Sequence, residues 1–321
     1  MKDNNNPELN PTLKGIIENC IADCVQELVG CDRPNRFTDV NKLCTEANVT
    51  SELLMLTKQR FGFHITPDIM SNEKSIASIS KMLSVDRNFA PDPLATLKEN
   101  TIGPRIVFIP GFGGNAWNYQ EVANNMMTPC TIESLNLFNF YPNEANNLTE
   151  QGMLNSITER LKKLKGNKPI WIGGFSFGGF IAPTVAQMLK DHVEISGLML
   201  IDPRPLNKLR LASYIPKVIA YHLMKYSGLG SALTNAQMFE KNMLYRRLTL
   251  RKNLRNFSAN MPKIPGKVLI STEVAQQYPL SSYFEVDESL CEVTEVEVGH
   301  TEILRSPFAK QTANWIDKAI A

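Results

Sequence analysis

The five residues Gly174-Phe175-Ser176-Phe177-Gly178 form a Gly-x-Ser-x-Gly pattern between an apolar run, KPIWIGG, and a helix-like run, GFIAPTVAQMLKDH. The order of strand, serine and helix restricts what the chain can become. A strand turns into a helix around one residue only if the residues two before and two after it lack bulk. Such a turn lifts the serine hydroxyl out of the sheet edge. It also sets the hydroxyl at the positive end of a helix, where developing negative charge is favoured. Ser176 is therefore the candidate nucleophile, against the plainer reading of a glycine-rich packing turn.

The strand and helix at Ser176 belong to a longer alternation that starts at Arg105. Short apolar runs recur as RIVFIP, TIESLN, KPIWIGG, GLMLID, GKVLIST and VTEVEV, and helical stretches such as TEQGMLNSITERLKKL separate several of them. Buried strands alternating with helices predict an α/β fold with a mostly parallel sheet and helices on both faces. Residues 8–85 differ. Ile16, Ile17, Cys20, Ile21, Cys24, Val25 and Leu28 recur at helical spacing, SELLMLTKQRFGF and SIASISKML follow the same pattern, and ITPD reads as a turn between them. This predicts a small helical bundle. Residues 86–104, with three prolines (Pro91, Pro93 and Pro104) and little periodicity, read as a linker to an α/β domain over 105–321.

Residues 203–265 interrupt the alternation with no obvious buried strand, and read as a helical lid inserted between GLMLID and GKVLIST. They hold twelve Lys and Arg against one acid, Glu240, a net charge of +11 in a chain whose total is +2. A solvated helix face is the plain reading. A surface that attracts an anionic partner is the sharper one, with Arg246, Arg247 and Arg251 as candidate steering residues.

A serine hydroxyl needs a base to take its proton. Of the four histidines, His64 lies in the helical segment, His192 falls between a helix and a strand, and His222 lies in the basic insertion. His300 follows VTEVEVG and precedes the last helix, the place for the base in the order serine, acid, histidine. Two acids compete to orient it. Asp202 stands at the end of GLMLI and abuts the insertion, and Glu273 follows GKVLIST; we favour Asp202, with Asp287 a weaker third choice. The oxyanion of an acyl transfer needs two backbone donors. The amide of Phe177 is one candidate. The amide of Phe112, in the loop PGFGGNAW opened by Gly111, Gly113 and Gly114, is the other. That loop lacks the Lys-Ser/Thr that a phosphate-cradling loop requires.

With VFIPGFGGNAWNYQ, IWIGGFSFGGFIA, LMLIDPRP and VEVGHTEILRSP in place, residues 103–321 resemble the thioesterase domains of polyketide and nonribosomal peptide synthases, within the α/β-hydrolase superfamily. The resemblance implies a Ser176–His300–Asp202 triad and makes the inserted helices a lid. The segment FTDVNKLCTEANVTSELLMLTKQRFGFHITPDIMSNEKSIASISKML is similar to an acyl-carrier domain. The Asp-Ser-Leu triplet that bears phosphopantetheine in that family aligns here with Glu46-Ala47-Asn48, so Ala47 stands at a degenerate attachment position. A carrier that cannot carry, fused to a thioesterase, resembles fungal pseudo-carrier–thioesterase proteins. Those act in trans to release alkylresorcylic acids of the olivetolic type from a partner polyketide synthase. The resemblance implies no resident cofactor, because the substrate arrives on the phosphopantetheine arm of the partner's acyl-carrier domain. A cyclising release enzyme and a small-molecule esterase are the alternatives.

The balance of charge is too even for a nucleic-acid partner, and no uncharged apolar run reaches the length of a membrane span. The polar start MKDNNNPELNP has no secretory h-region, so the expectation is a cytoplasmic protein. Four of six cysteines fall within the first 44 residues, but no CxxC pair occurs and no histidine precedes His64. They read as thiols in a reducing compartment, with no metal site.

Overall fold

The computed structural model describes residues 11–32, 34–45, 47–61, 65–85, 94–112, 114–137, 150–164, 168–205, 259–282, 284–285, 287 and 289–321. These residues divide between two compact units that part near residue 91.

The first unit is helical. Helices α1 (Pro11–Val29), α2 (Val40–Leu43), α3 (Ala47–Phe61), α4 (Pro67–Asn72) and α5 (Ile76–Val85) follow one another. Ile17, Ile21, Cys24 and Val25 bury one stripe of α1 against Val40, Leu53, Ile76, Ile79 and Leu83. Gly30 ends α1 at φ 65°, a left-handed conformation that glycine adopts without a steric penalty. The segment ITPD, expected as a turn, opens α4 instead. Thr66 Oγ1 accepts from the Ile69 amide at 3.3 Å and Pro67 takes the first helical position, where its missing N–H costs nothing. One acid lies inside this core. Glu18 is 1% exposed, and Arg36 Nη2 donates to its Oε1 at 2.9 Å.

The second unit is built on a seven-stranded sheet of order β1-β3-β2-β4-β5-β7-β9. The strands are β1 (Leu94–Lys98), β2 (Arg105–Ile109), β3 (Thr131–Leu135), β4 (Ile170–Phe175), β5 (Ile195–Ile201), β7 (Gly266–Ser271) and β9 (Cys291–Val296). All neighbours pair in parallel except β1, which runs antiparallel to β3. The six apolar runs are all strands of this sheet. β1 is an additional strand, and it falls inside the stretch expected to be a linker over 86–104. It lies at a sheet edge and only Ala95 of its five residues is buried, so it carries no apolar run for a sequence reading to detect.

Helices cover both faces of the sheet. Ile106, Phe108, Met199 and Ile201 pack with α6 (Gln120–Asn125) and α10 (Phe308–Ile320). Their alternate neighbours Val107, Leu198 and Leu200 are equally buried and face the other way. On that side α8 (Phe177–Leu189) lies against β4 and β5, with α7 (Glu150–Leu161) beside it. A short helix α9 (Thr272–Gln277) follows β7, and two-residue strands β6 (Ala259–Asn260) and β8 (Phe284–Glu285) pair at the margin. β6 therefore falls within the insertion expected to hold no buried strand. The rest of that insertion, residues 206–258, lies outside the described residues. Among the described residues, no helix is long and apolar enough to cross a membrane.

Removing the guanidinium from the helical unit should expose the dependence of its core on the Glu18 pair. We expect Arg36→Met to destabilise this unit by about 3 kcal/mol, because a buried carboxylate loses its hydrogen-bonded guanidinium. A urea midpoint unchanged from the parent would show that Glu18 is compensated elsewhere.

Candidate active site

The carboxyl ends of the parallel strands β4, β5, β7 and β9 converge on one region, the edge where ligands of open α/β sheets bind. Ser176 sits between β4 and α8 with φ 55° and ψ −120°, a left-handed backbone for a residue with a side chain. The turn is held from both sides. The Ser176 amide donates to Ile201 O at 3.0 Å, and its carbonyl accepts from the amides of Phe180 at 3.0 Å and Arg204 at 3.1 Å. The glycines have a measurable job. A Cβ on Gly174 would lie 2.3 Å from the Gly178 carbonyl carbon, and one on Gly178 would lie 2.0 Å from Ile109 O. Both clashes are with backbone, so no side chain can yield to relieve them.

His300 reaches this turn from the loop after β9. Its Nε2 is 2.9 Å from Ser176 Oγ, and its Nδ1 is 2.5 Å from Asp202 Oδ2. An ionised carboxylate only accepts, so Nδ1 carries the proton and Nε2 is left to accept from the serine hydroxyl. Asp202 follows β5 at φ 46° and is fully buried. Its Oδ1 accepts from the Ser271 amide at 2.7 Å and its Oδ2 from Ser271 Oγ at 2.9 Å. Burial of that charge is balanced by three donors. The ring of Phe175 stacks on the imidazole, with centroids 4.8 Å apart.

The other acids have different partners. Glu273, in the first turn of α9, accepts from the His300 backbone amide at 3.3 Å and so touches the histidine loop rather than the ring. Asp287 is bound by Ser289 at the surface, and the hydrogen bonds from the Ser289 hydroxyl and amide hold its carboxyl below the usual range. His192 follows α8 and precedes β5, at the sheet end opposite Ser176. His64 and His222 lie outside the described residues, as do Arg246, Arg247, Arg251 and Gly113.

The two candidate oxyanion donors flank the serine. Phe177 is the first residue of α8, where an amide has no partner within its own helix. The loop after β2 approaches closely enough that a Cβ on Gly111 would lie 3.5 Å from Ser176 Cβ. Phe112 follows in that loop, and its ring meets that of Phe177 edge-on at 6.4 Å. The constellation sets an oriented imidazole on a serine hydroxyl, and Phe112 and Phe177 stay candidates for the two oxyanion donors of an acyl transfer.

In the helical unit, Ala47 is the first residue of α3. None of the six cysteines forms a disulfide, and Cys20, Cys24, Cys44 and Cys130 are buried. Burial pushes the thiols of Cys44 and Cys130 up. Among the described residues, no group of three or more His, Cys, Asp and Glu side chains could hold a metal ion.

Sheet order, serine turn and the placement of the acid and base after later strands together define the α/β-hydrolase fold. A sequence profile described as "alpha/beta hydrolase fold" matches residues 104–224. Among solved structures, the NocB thioesterase domain in covalent complex with a fluorophosphonate nocardicin G analogue aligns with TM-score 0.55 and 19% identity, over 71% of this chain and 99% of that one. The Vlm2 thioesterase domain, bound with a dodecadepsipeptide, aligns with TM-score 0.52 and 20% identity, over 71% and 98%. A four-domain nonribosomal peptide synthetase in its holo form, bound to AMP and glycine, aligns with TM-score 0.60 and 14% identity over 94% of this chain. The chain spans only 26% of that synthetase. At these identities the likeness is one of fold. No curated protein sequence matches the chain.

Ser271 has no signature in the sequence beyond its place at the end of a strand, yet it supplies two of the three donors to Asp202. Ser271→Ala should remove one of them and slow labelling of Ser176 by a fluorophosphonate about tenfold, the equivalent of one hydrogen bond of about 1.4 kcal/mol. An unchanged labelling rate would mean that the backbone amide and His300 suffice.

Proposed function

We propose that this protein is a thioesterase that acts in trans, hydrolysing a polyketide acyl thioester from the acyl-carrier domain of a partner synthase to release a free acid. The observation that carries this reading is the continuous hydrogen-bonded chain Ser176–His300–Asp202 at a strained strand-to-helix turn. His300 Nε2 takes the hydroxyl proton as Ser176 Oγ attacks the thioester carbonyl. The amides of Phe112 and Phe177 stabilise the tetrahedral oxyanion. Collapse breaks the C–S bond, and His300 returns the proton to the departing thiol. Water, deprotonated by the same imidazole, then attacks the acyl-enzyme. The second collapse restores the serine hydroxyl and frees the acid. Asp202 stays ionised throughout and steadies the imidazolium.

Three features support the choice of a carrier-borne thioester. The fold is shared with the NocB and Vlm2 thioesterase domains. The alignment with a multidomain synthetase covers most of this chain, which includes helical residues before the sheet. The insertion between β5 and β7 is strongly basic in sequence, and a carrier's phosphopantetheine arm brings a phosphate that such a surface attracts. The helical unit, with Ala47 at the start of α3, acts on this reading as a docking module without cargo. The released acid is an aromatic product of the alkylresorcylic type. The protein works in the cytoplasm and needs no cofactor of its own.

Intact-mass detection of acyl transfer from a loaded carrier to Ser176, with the product identified after release, is the direct test. A loaded carrier that leaves Ser176 unmodified overturns the reading. Asp202→Asn should lower kcat about 10⁴-fold by fixing the wrong histidine tautomer. Reversing Arg246, Arg247 and Arg251 to Glu should slow release from a carrier more than hydrolysis of a small soluble thioester; equal slowing would remove the lid from the account. Deleting residues 1–91, which leaves β1 in place, should preserve turnover of the soluble thioester and weaken turnover with the partner. Equal release of the loaded synthase by the shortened protein would exclude docking.

A further inference from the structure

Tyr119 ends a single 3-10 turn, Ala116–Tyr119, that follows the loop bearing Phe112. Its side chain folds back beneath the root of that loop and is completely buried. The hydroxyl does two things there. It donates to Ile109 O at 2.8 Å, and it accepts from the Phe175 amide at 2.8 Å. Ile109 is the last residue of β2, immediately before Pro110, Gly111 and Phe112. Phe175 is the last residue of β4, immediately before Ser176. The phenol ring is fixed by stacking on Phe108, with centroids 4.3 Å apart and planes 14° apart.

We infer that Tyr119 is a positioning residue for acyl transfer: its hydroxyl fixes the oxyanion loop relative to the nucleophile turn. The inference rests on the proposed reaction at Ser176. β2 and β4 are neighbouring parallel strands, and their regular pairing ends at Ile109 opposite Gly174. One residue further the two chains diverge, one into the Phe112 loop and one into the serine turn. The Tyr119 hydroxyl bridges them where the ladder stops. The carbonyl it holds is also the one that a side chain at position 178 would strike, so its place sets how closely α8 can approach. A shift of Ile109 O therefore moves the Phe112 amide and the start of α8 together. Phe175 extends the connection, since its amide binds Tyr119 and its ring stacks on His300. Burial holds the phenol above its ordinary range, so the hydroxyl keeps the proton that it donates to Ile109. Tyr119 does not touch the reacting atoms. It acts through the backbone on either side of them.

Tyr119→Phe tests this in the full chain, assayed where the variant is folded by circular dichroism. The expected result is a loss in kcat of about 30-fold on a soluble acyl thioester, with KM within about twofold of the parent, as for an interaction that matters in the transition state. A trifluoromethyl ketone, whose adduct places an oxyanion between the amides, should weaken by a similar factor. A non-hydrolysable thioether analogue should bind as before. Thr158→Val, which removes a buried hydroxyl bond to Leu154 O within α7, controls for lost stability and should leave kcat unchanged. Parent-like kcat in folded Tyr119→Phe overturns the inference. So does an equal loss in Thr158→Val, or equal weakening of both analogues. Should Tyr119→Phe not fold, 3,5-difluorotyrosine at position 119 keeps the ring and weakens its acceptance from Phe175. Assayed below its lowered pKa, it should reduce kcat about threefold at constant KM, and an unchanged kcat overturns the inference. If the parent neither labels at Ser176 nor hydrolyses thioesters, the acyl-transfer reading falls and takes this inference with it. If the parent does both and the Tyr119 variants match it, only this inference falls.

Discussion

A carboxylate with no exposure to solvent is tolerated only where donors surround it, and Asp202 organises this end of the sheet on that condition. The three donors come from two other places in the chain. Ser271 brings the end of β7 and the start of α9, and His300 brings the loop after β9. Ser271 has a second duty, because its hydroxyl oxygen also accepts from the Val274 amide and caps α9. One hydroxyl thus satisfies a helix terminus and a buried charge together. Satisfying Asp202 brings the imidazole to the end of β5. The neighbouring strand β4 ends opposite Ile201, with Ser176 as its next residue. Orientation of the imidazole is therefore a consequence of hiding an acid.

The second constraint is backbone closeness. Gly174 and Gly178 nearly touch, and Gly178 lies against the carbonyl of Ile109, so strand, helix and the end of β2 approach to distances that exclude any Cβ. Both Ser176 and Asp202 adopt positive φ. Neither is glycine, so the strain persists only because neighbours over-determine it. For Ser176 those neighbours are Ile201, Phe180 and Arg204. For Asp202 they include Leu269 O, which accepts from its amide at 2.6 Å. Strain at adjacent strand ends keeps the hydroxyl and the carboxylate on one side of the sheet edge, where a regular continuation of either strand would turn them away.

What could be read in the sequence was whatever repeats or whatever carries chemistry. Six strands announced themselves as apolar runs because a parallel strand is buried on both faces. Ser176, Asp202 and His300 stand at strand ends in the expected order, and the structure brings them within hydrogen-bonding distance. β1 was hidden because an edge strand needs no continuous apolar run, and the prolines around it imitate a linker. Thr66-Pro67 imitates a turn because the residues that start a helix are also those that make turns. The choice between Asp202 and Glu273 was open because both follow strands. Only the side-chain direction separates them, one toward the imidazole and one toward the histidine's backbone amide. Ser271 and Tyr119 left no trace at all. A serine after a strand and a tyrosine after a loop are ordinary, and their importance lies in partners 69 and 56 residues away.

The site is assembled from parts of unequal stiffness. Ser176, the Phe177 amide and the glycines lie in one continuous segment, fixed by its own backbone and by Ile109. His300 comes from 124 residues away, on a loop whose backbone is held partly by exposed carboxylates. Glu273 accepts from the His300 amide and Glu302 from the Gly299 amide, both at 3.3 Å. Exposed hydrogen bonds of this length contribute little each, and solvent competes for them. What holds the imidazole itself is different in kind: the short bond to a buried Asp202 and the stacked ring of Phe175. The alignment of the imidazole thus rests on two contacts made by the side chain itself, the bond to Asp202 and the stacked ring of Phe175.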